Sequence, residues 1–221
     1  DVIISITSSD AKSIITRADQ LHLCYCLTPT RYFWSGADEY GSDIKMRLLP
    51  AIFYKFFRYL DLVTSARPDV YISISKEIKK RVKNYYQRES EVVYPPVDDK
   101  FFGHKPLDIK HRDYYLYVSR LVPYKKAELV VNTFRKLNKP LVVVGEGTER
   151  KKLEKLAGRK TAFVGVVSDE KLIQYYRHAT ATIFPQREDF GIVPVESQAC
   201  GTPVIAFGKG GATETVVDGE T

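Results

Sequence analysis

Between Tyr114 and Phe207 the chain alternates short apolar runs with helical segments, and few architectures accept that pattern. Tyr114 to Ser119, Leu141 to Val144, Thr161 to Val164, Thr180 to Phe184 and Val204 to Phe207 read as strands. Ala127 to Leu137, Arg150 to Ala157 and Asp169 to His178 read as helices between them. The run Leu-Val-Val-Val at 141–144 has no polar face, which suits a parallel strand covered on both sides. Repeated β-α alternation predicts an α/β fold with a doubly wound parallel sheet. Such sheets bind ligands at the carboxyl ends of their strands.

The stretch Phe184 to Phe207 places chemistry at that edge. Pro185 stops a strand, and a polar loop then carries Glu188, Asp189 and Gly191. Pro194 suits a first helical turn, where its missing N–H has no helical partner. Glu196 is expected in the same turn, near the positive end of the helix dipole. Gly201 and Pro203 end the helix before the next strand. Two carboxylates, Glu188 and Glu196, therefore belong to one sheet edge with seven residues between them. The backbone N–H groups of Gly191, Ile192 and Val193 precede the helix and suit an anion. Gly145-Glu146-Gly147 forms a tight turn near the same edge, a pattern read as packing.

The first part of the chain has the same character. Val2 to Ile6, His22 to Leu27 and Val70 to Ser73 read as strands, and Ser8 to Thr16 as a loop with a short helix. Lys76 to Tyr86 is a basic amphipathic helix capped by Ser75. A helical segment from about Asp43 to Ala66, punctuated by Pro50, is densely apolar and carries Lys45, Arg47, Lys55 and Arg58. It fits a helix lying on a membrane surface or a core helix beside a linker, and the core reading is preferred. Residues 94–112 are rich in Pro, Asp and Lys without periodicity, which marks a linker. The expected division is a partial first domain at 1–93, the linker, and a second domain at 113–221.

Composition narrows the partners. The net charge of +7 favours anionic ones, and phosphorylated ligands or a membrane surface fit better than nucleic acid, since no nucleic-acid module is visible. No run approaches the roughly 20 apolar residues of a membrane span, and no signal peptide is visible. The three cysteines lack a CxxC pair, which suggests reduced thiols and a cytoplasmic setting. Cys24 and Cys26 should face one side of a strand, and Cys200 should be a small buried residue. His104, His111 and His178 show no metal-ligand spacing. Asp1 opens inside a strand and Thr221 ends in a turn, so the sequence is expected to be an internal piece of a longer protein.

The segment Glu188-Asp-Phe-Gly-Ile-Val-Pro-Val-Glu196, followed by Ala-Cys-Gly-Thr-Pro-Val-Ile-Ala at 199–206, resembles the E-x7-E motif and A-x-G-x-P-V-I-A sequence of family-4 retaining glycosyltransferases of GT-B fold. Ser119 to Lys125 matches that family's S-R-L-x-P-x-K pattern, with Lys126 where a small residue or Arg is usual. VVYPPVD at 92–98 resembles the exit from the amino-terminal domain, and residues 64–91 the helix pair before it, with Ile74 where Asn is common. HLCYCLTPTRYFW at 22–34 resembles a strand and acceptor-side loop written C-Y-C-H-T-P-M-R-Y-x-W, typical of the mannosyltransferase-like branch.

The resemblance implies a Rossmann-like GT-B fold and hexosyl transfer with retention, from GDP-mannose or another nucleotide sugar to a glycan or polyprenyl-linked acceptor, without a metal. It implies that Arg120 and Lys125 clamp the diphosphate and that Glu188 accepts bonds from the donor sugar. Ser119 and the backbone of Phe190, Gly191, Ile192 and Val193 would help hold the donor. Glu196 would bind the ribose, and Val166 and Val167 would meet the base. The location implied is cytoplasmic, with peripheral contact at the inner membrane face. Leu27 departs from the family's His, and a catalytically silent nucleotide-sugar-binding protein is the alternative. A dinucleotide-dependent dehydrogenase is disfavoured, for no G-x-G-x-x-G opens a helix after a strand.

Overall fold

The structure, a computed structural model, describes residues 1–34, 51–103, 110 and 112–221. The expected helical segment from Asp43 to Pro50, with Lys45 and Arg47, lies outside the described residues, as do His104 and His111. The chain divides into two compact units, Asp1–Pro95 and Pro96–Thr221.

The first unit is built on a parallel sheet of β1 (Val2–Thr7), β2 (Leu21–Cys26), β3 (Val70–Ser73) and β4 (Glu91–Val92), in that spatial order. The period of two turns His22, Cys24 and Cys26 to the same covered face, and all three are buried. Two helices are described, α1 (Ala51–Thr64) and α2 (Lys76–Tyr86). Ser75 caps α2 by accepting a hydrogen bond from Ile78 N at 3.1 Å, and Ile78, Val82 and Tyr86 form its buried stripe.

Helix α1 departs from the core reading. Phe53, Phe56, Phe57, Tyr59, Leu60, Leu62 and Val63 are exposed, and of its described side chains only Asp61 is buried. Its polar residues Lys55, Arg58 and Asp61 fall three apart along one side, and Arg58 and Asp61 on that side meet the rest of the unit. What anchors it is polar. The Asp61 carboxylate accepts from Lys12 Nζ (2.6 Å), Thr30 Oγ1 (2.7 Å), Trp34 Nε1 (2.7 Å) and Tyr86 OH (2.9 Å). Lys12 Nζ also donates to Ser9 O at 2.7 Å, so both buried charges are paired and bonded. The Arg58 guanidinium lies 4.1 Å from the Trp34 ring centroid, and Tyr85 stacks with the same ring at 5.0 Å.

The second unit has β5 (Tyr114–Val118), β6 (Leu141–Val144), β7 (Thr161–Gly165), β8 (Ala179–Phe184) and β9 (Val204–Ala206), all parallel. Their spatial order is β7-β6-β5-β8-β9, so the winding reverses between β5 and β8. The helices are α3 (Ala127–Leu137), α4 (Arg150–Leu156), α5 (Asp169–His178) and α6 (Ile192–Ala199). They cover both faces. Leu121, Val130, Phe134, Val143 and Leu153 pack on one side. Leu116, Val144, Ile173, Tyr176 and Cys200 pack on the other. The chain enters this unit at Pro96, and Val97 and Phe101 already pack into the second cluster.

Helix α6 begins at Ile192, earlier than the proline suggests, because Gly191 takes a left-handed conformation (φ 90°) that starts the turn. Pro194 is still inside the first turn, but Glu196 lies beyond it, which corrects the expected placement at the dipole end.

Replacing Asp61 by Ala should cost the first unit about 3–5 kcal/mol, since it leaves Lys12 as a buried charge without its counter-ion. Urea unfolding followed by fluorescence of Trp34, the single tryptophan of the sequence, should show the lowered midpoint.

Candidate active site at the strand crossover

Strands β5 and β8 are neighbours at the point where the winding reverses, which sets the loops leaving their carboxyl ends side by side. The loop after β5 carries Ser119, Arg120 and Lys125. Pro123–Lys125 makes one tight helical turn, and Lys126 then adopts a left-handed conformation (φ 62°) that swings the chain into α3. Tyr117, buried on β5, donates its hydroxyl to Lys125 O at 2.8 Å and pins the turn to the sheet. Arg120 is exposed and donates from Nη2 to Tyr124 OH at 2.7 Å. The Lys125 ammonium sits 5.1 Å from the centroid of the same Tyr124 ring.

The loop after β8 carries Glu188. Its carboxylate forms an ion pair with Lys125 Nζ across the crossover, and the two side chains are only 13% and 16% exposed. Glu188 O accepts from Gly211 N at 2.8 Å, and Glu188 bridges to Gly210. That close approach needs glycine: a Cβ on Gly211 would stand 2.4 Å from Asp189 O and from Phe190 Cα. Phe190 is buried and Val193 packs in the core. Ile192 is exposed. The cap residue of α6 is Gly191, which has no side chain, and the first N–H groups of the helix follow it.

Glu196 is half-buried on α6 and accepts from Tyr176 OH at 2.9 Å. Burial pushes its carboxyl above the ordinary value, the Tyr176 bond opposes that, and Asp169 raises it while Lys100 lowers it.

The remaining expected residues are less converged. Val166 is 77% exposed after β7, an edge strand separated from β8 by β6 and β5. Val167 beside it is half-buried against the core. The structure thus joins Lys125 directly to Glu188, sets Gly191–Val193 and Glu196 on the adjoining helix, and leaves Arg120 and Val166 open to solvent. His178 sits in the last turn of α5 with its Nδ1 2.9 Å from Gln174 O.

Backbone hydrogen bonds stitch the loops after β5, β6 and β7 together. Ser119 N donates to Val144 O (3.1 Å), Leu121 N to Glu146 O (2.8 Å) and Gly145 N to Gly165 O (2.8 Å). The Gly-Glu-Gly turn is what allows this, because a Cβ on Gly145 would lie 1.9 Å from Ser119 O and one on Gly147 2.2 Å from Leu121 O. Sequence reading missed Tyr117, Tyr124 and Tyr176 as supports. Tyr124 stood inside the matched S-R-L-x-P-x-K pattern, whereas Tyr176 carried no signal beyond an aromatic on a helix.

Residues 99–221 match the model of the family described as glycosyl transferases group 1. The chain belongs to this family. A D-inositol 3-phosphate glycosyltransferase of Acidothermus cellulolyticus is 37% identical over 131 residues, covering 48% of this chain and 28% of that protein. An uncharacterized glycosyltransferase of Methanocaldococcus jannaschii is 28% identical over 171 residues, covering 74% of this chain and 46% of its own. This group 1 chain therefore spans less than half the length of these curated relatives. Sucrose-phosphate synthase from Thermosynechococcus elongatus superposes with a TM-score of 0.75 at 21% identity, over 100% of this chain and 59% of that one. Anabaena HepE in complex with UDP gives 0.74 at 19% identity, over 99% and 63%. The fold of this group 1 chain is accordingly α/β, Rossmann-like, with GT-B glycosyltransferases as structural neighbours. Among the described residues no helix is long and apolar enough to cross a membrane.

Gly145→Ala should destabilise the second unit by about 1–3 kcal/mol, since it combines a side chain at φ 125° with a clash against Ser119 O. A fall in the thermal midpoint of the variant checks this.

Proposed function

We propose that the crossover in the second unit is the donor site of a retaining family-4 glycosyltransferase, with the first unit on the acceptor side. The observation carrying this reading is the Lys125–Glu188 ion pair at the carboxyl edge, on the loop that leads into the glycine-capped start of α6. Cleavage of the anomeric C–O bond builds negative charge on the departing diphosphate. A fixed ammonium, a guanidinium and N–H dipoles aimed at that oxygen act where the charge develops. Lys125 and Arg120 supply the cations, and Ser119 and the N–H groups of Phe190 to Val193 line the same edge.

In this reading Glu188 has two tasks. It holds Lys125 in place and accepts hydrogen bonds from the sugar hydroxyls, orienting the donor without attacking it. The acceptor hydroxyl enters from the face the diphosphate leaves, and the leaving phosphate oxygen takes its proton, so configuration is retained. Glu196 binds the ribose, its carboxylate accepting from the diol hydroxyls. Val166, exposed after β7, is assigned to the base, with Val167 supporting the loop beneath it. No metal is required by this scheme.

GDP-mannose is the leading donor, on the likeness of residues 22–34 to the mannosyltransferase-like branch, and a glycan or polyprenyl-linked chain the acceptor. UDP in the Anabaena HepE complex makes a uridine donor the nearest competitor, and the D-inositol 3-phosphate glycosyltransferase relative adds a phosphorylated polyol to the acceptor classes. A lipid-linked acceptor would place the enzyme at the cytoplasmic membrane face, and the exposed Phe53, Phe56 and Phe57 of α1 with Lys55 suit such contact. A catalytically silent, nucleotide-sugar-binding protein is the second reading. It is favoured by Leu27, which follows β2 with a half-buried apolar side chain unable to move a proton.

Turnover of GDP-mannose and a panel of UDP-sugars by the intact protein separates these readings, and the silent homologue predicts binding without transfer. In the active case Lys125→Ala should lower kcat by about a hundredfold or more while changing donor affinity far less. Loss of donor affinity with kcat unchanged would make Lys125 a plain ground-state contact. Glu196→Ala should weaken nucleoside diphosphate binding without abolishing the fold, as read by titration calorimetry.

A further inference from the structure

Tyr176 is fully buried on α5, far from the motif residues in sequence, and its hydroxyl reaches Glu196 Oε2 at 2.9 Å. A buried phenol needs a partner, and a charged acceptor makes the stronger bond. Both the ring and the backbone of Tyr176 are held. Phe101 meets it edge-on with centroids 6.2 Å apart, and Tyr176 O accepts from Thr202 Oγ1 at 2.6 Å. Thr202 O in turn accepts from Ser197 Oγ at 3.0 Å, and Ser197 Oγ lies 2.7 Å from Thr182 Oγ1 on β8. The bond to Glu196 thus closes a ring of contacts running through α5, the α6–β9 turn, α6 and β8. A side chain free to rotate on α6 becomes one held against α5.

We propose that Tyr176 is a positioning residue for the nucleotide, occupying Glu196 Oε2 so that the carboxylate stays turned with its other oxygen free for the ribose diol. This rests on the assignment of Glu196 to the ribose. The groups facing Glu196 are Tyr176 and Asp169 from α5, Lys100 from the turn before β5, and Cys200 on its own helix. Burial favours the protonated carboxyl and the phenol's donation favours the charged one. Removing the phenol therefore raises the carboxyl's titration point further, and binding is lost at a higher pH on acidification.

The experiment measures dissociation constants of GDP and of UDP from the intact protein across pH 5 to 9, for wild type, Tyr176→Phe, Glu196→Gln and the double variant. The better-binding nucleotide is used for the cycle. Tyr176→Phe keeps the ring and its packing, and a thermal midpoint close to wild type confirms that the fold is intact. Binding at neutral pH should weaken roughly tenfold in Tyr176→Phe, on the scale of one hydrogen bond to a charged group. Its acid limb should move to higher pH. In the Glu196→Gln background the same change should cost little more, because both act through one carboxylate. Full additivity of the two losses, or an unshifted acid limb, would mean that Tyr176 is packing alone. If Glu196→Gln weakens binding and a folded Tyr176→Phe does not, the positioning role fails and the ribose assignment stands. If Glu196→Gln binds like wild type, both fail. Should Tyr176→Phe prove unstable, Glu196→Asp, which keeps the charge but draws the carboxylate back from the phenol, tests the same contact, and unchanged affinity there would also overturn the proposal.

Discussion

A lysine and a glutamate, facing each other where the sheet changes its winding direction, organise the second unit of this chain. Lys125 and Glu188 are each less than one-fifth exposed, so drawing them from water has a desolvation cost that their attraction only partly offsets. A pair in that position is weak evidence of stability and better evidence of a site where charge is wanted. Its existence depends on topology. Because β5 lies between β6 and β8, the loops after the first and fourth strands of this sheet meet, although Lys125 and Glu188 are distant in sequence. An arrangement with β5 at the sheet edge would part them.

Around this pair the backbone leaves little freedom. The loops after β5, β6 and β7 are laced by N–H to carbonyl bonds, with Gly145 and Gly147 pressed against the Ser119–Leu121 chain. On the other side Gly210 and Gly211 press against the Glu188 loop. Cationic and anionic arms are therefore each mounted on backbone that a single added methyl group would disturb. Preorganisation of this kind is what electrostatic catalysis requires, since dipoles and charges that are already placed need not reorganise as the transition state forms. The tyrosines extend the same principle to side chains: Tyr117 holds the Lys125 turn, Tyr124 lies beneath both basic groups, and Tyr176 holds Glu196.

The elements whose periodicity matched their burial were legible before any coordinates. Leu141–Val144 as a wholly apolar strand, and Ala127–Leu137 and Asp169–His178 as amphipathic helices, fall on the expected residues. Lys125 and Glu188 were singled out by the resemblance of their segments to the family's motifs, and the structure pairs them. What the sequence concealed depends on contacts between distant segments. Helix α1 looks like core by composition, yet is anchored by Asp61, whose four donors come from Lys12, Thr30, Trp34 and Tyr86. The depth of Glu196 was misread because a glycine's left-handed turn, rather than the proline, starts α6. Tyr176 could not be told from an ordinary core aromatic, since only the fold carries its hydroxyl to a carboxylate 20 residues away.

The most direct test is a crystal structure of the protein with GDP or UDP bound. The account predicts the diphosphate at Lys125 and Arg120 over the start of α6, with the ribose hydroxyls on Glu196. A nucleotide seated away from the β5–β8 crossover, with the Lys125–Glu188 pair untouched by ligand, would contradict it.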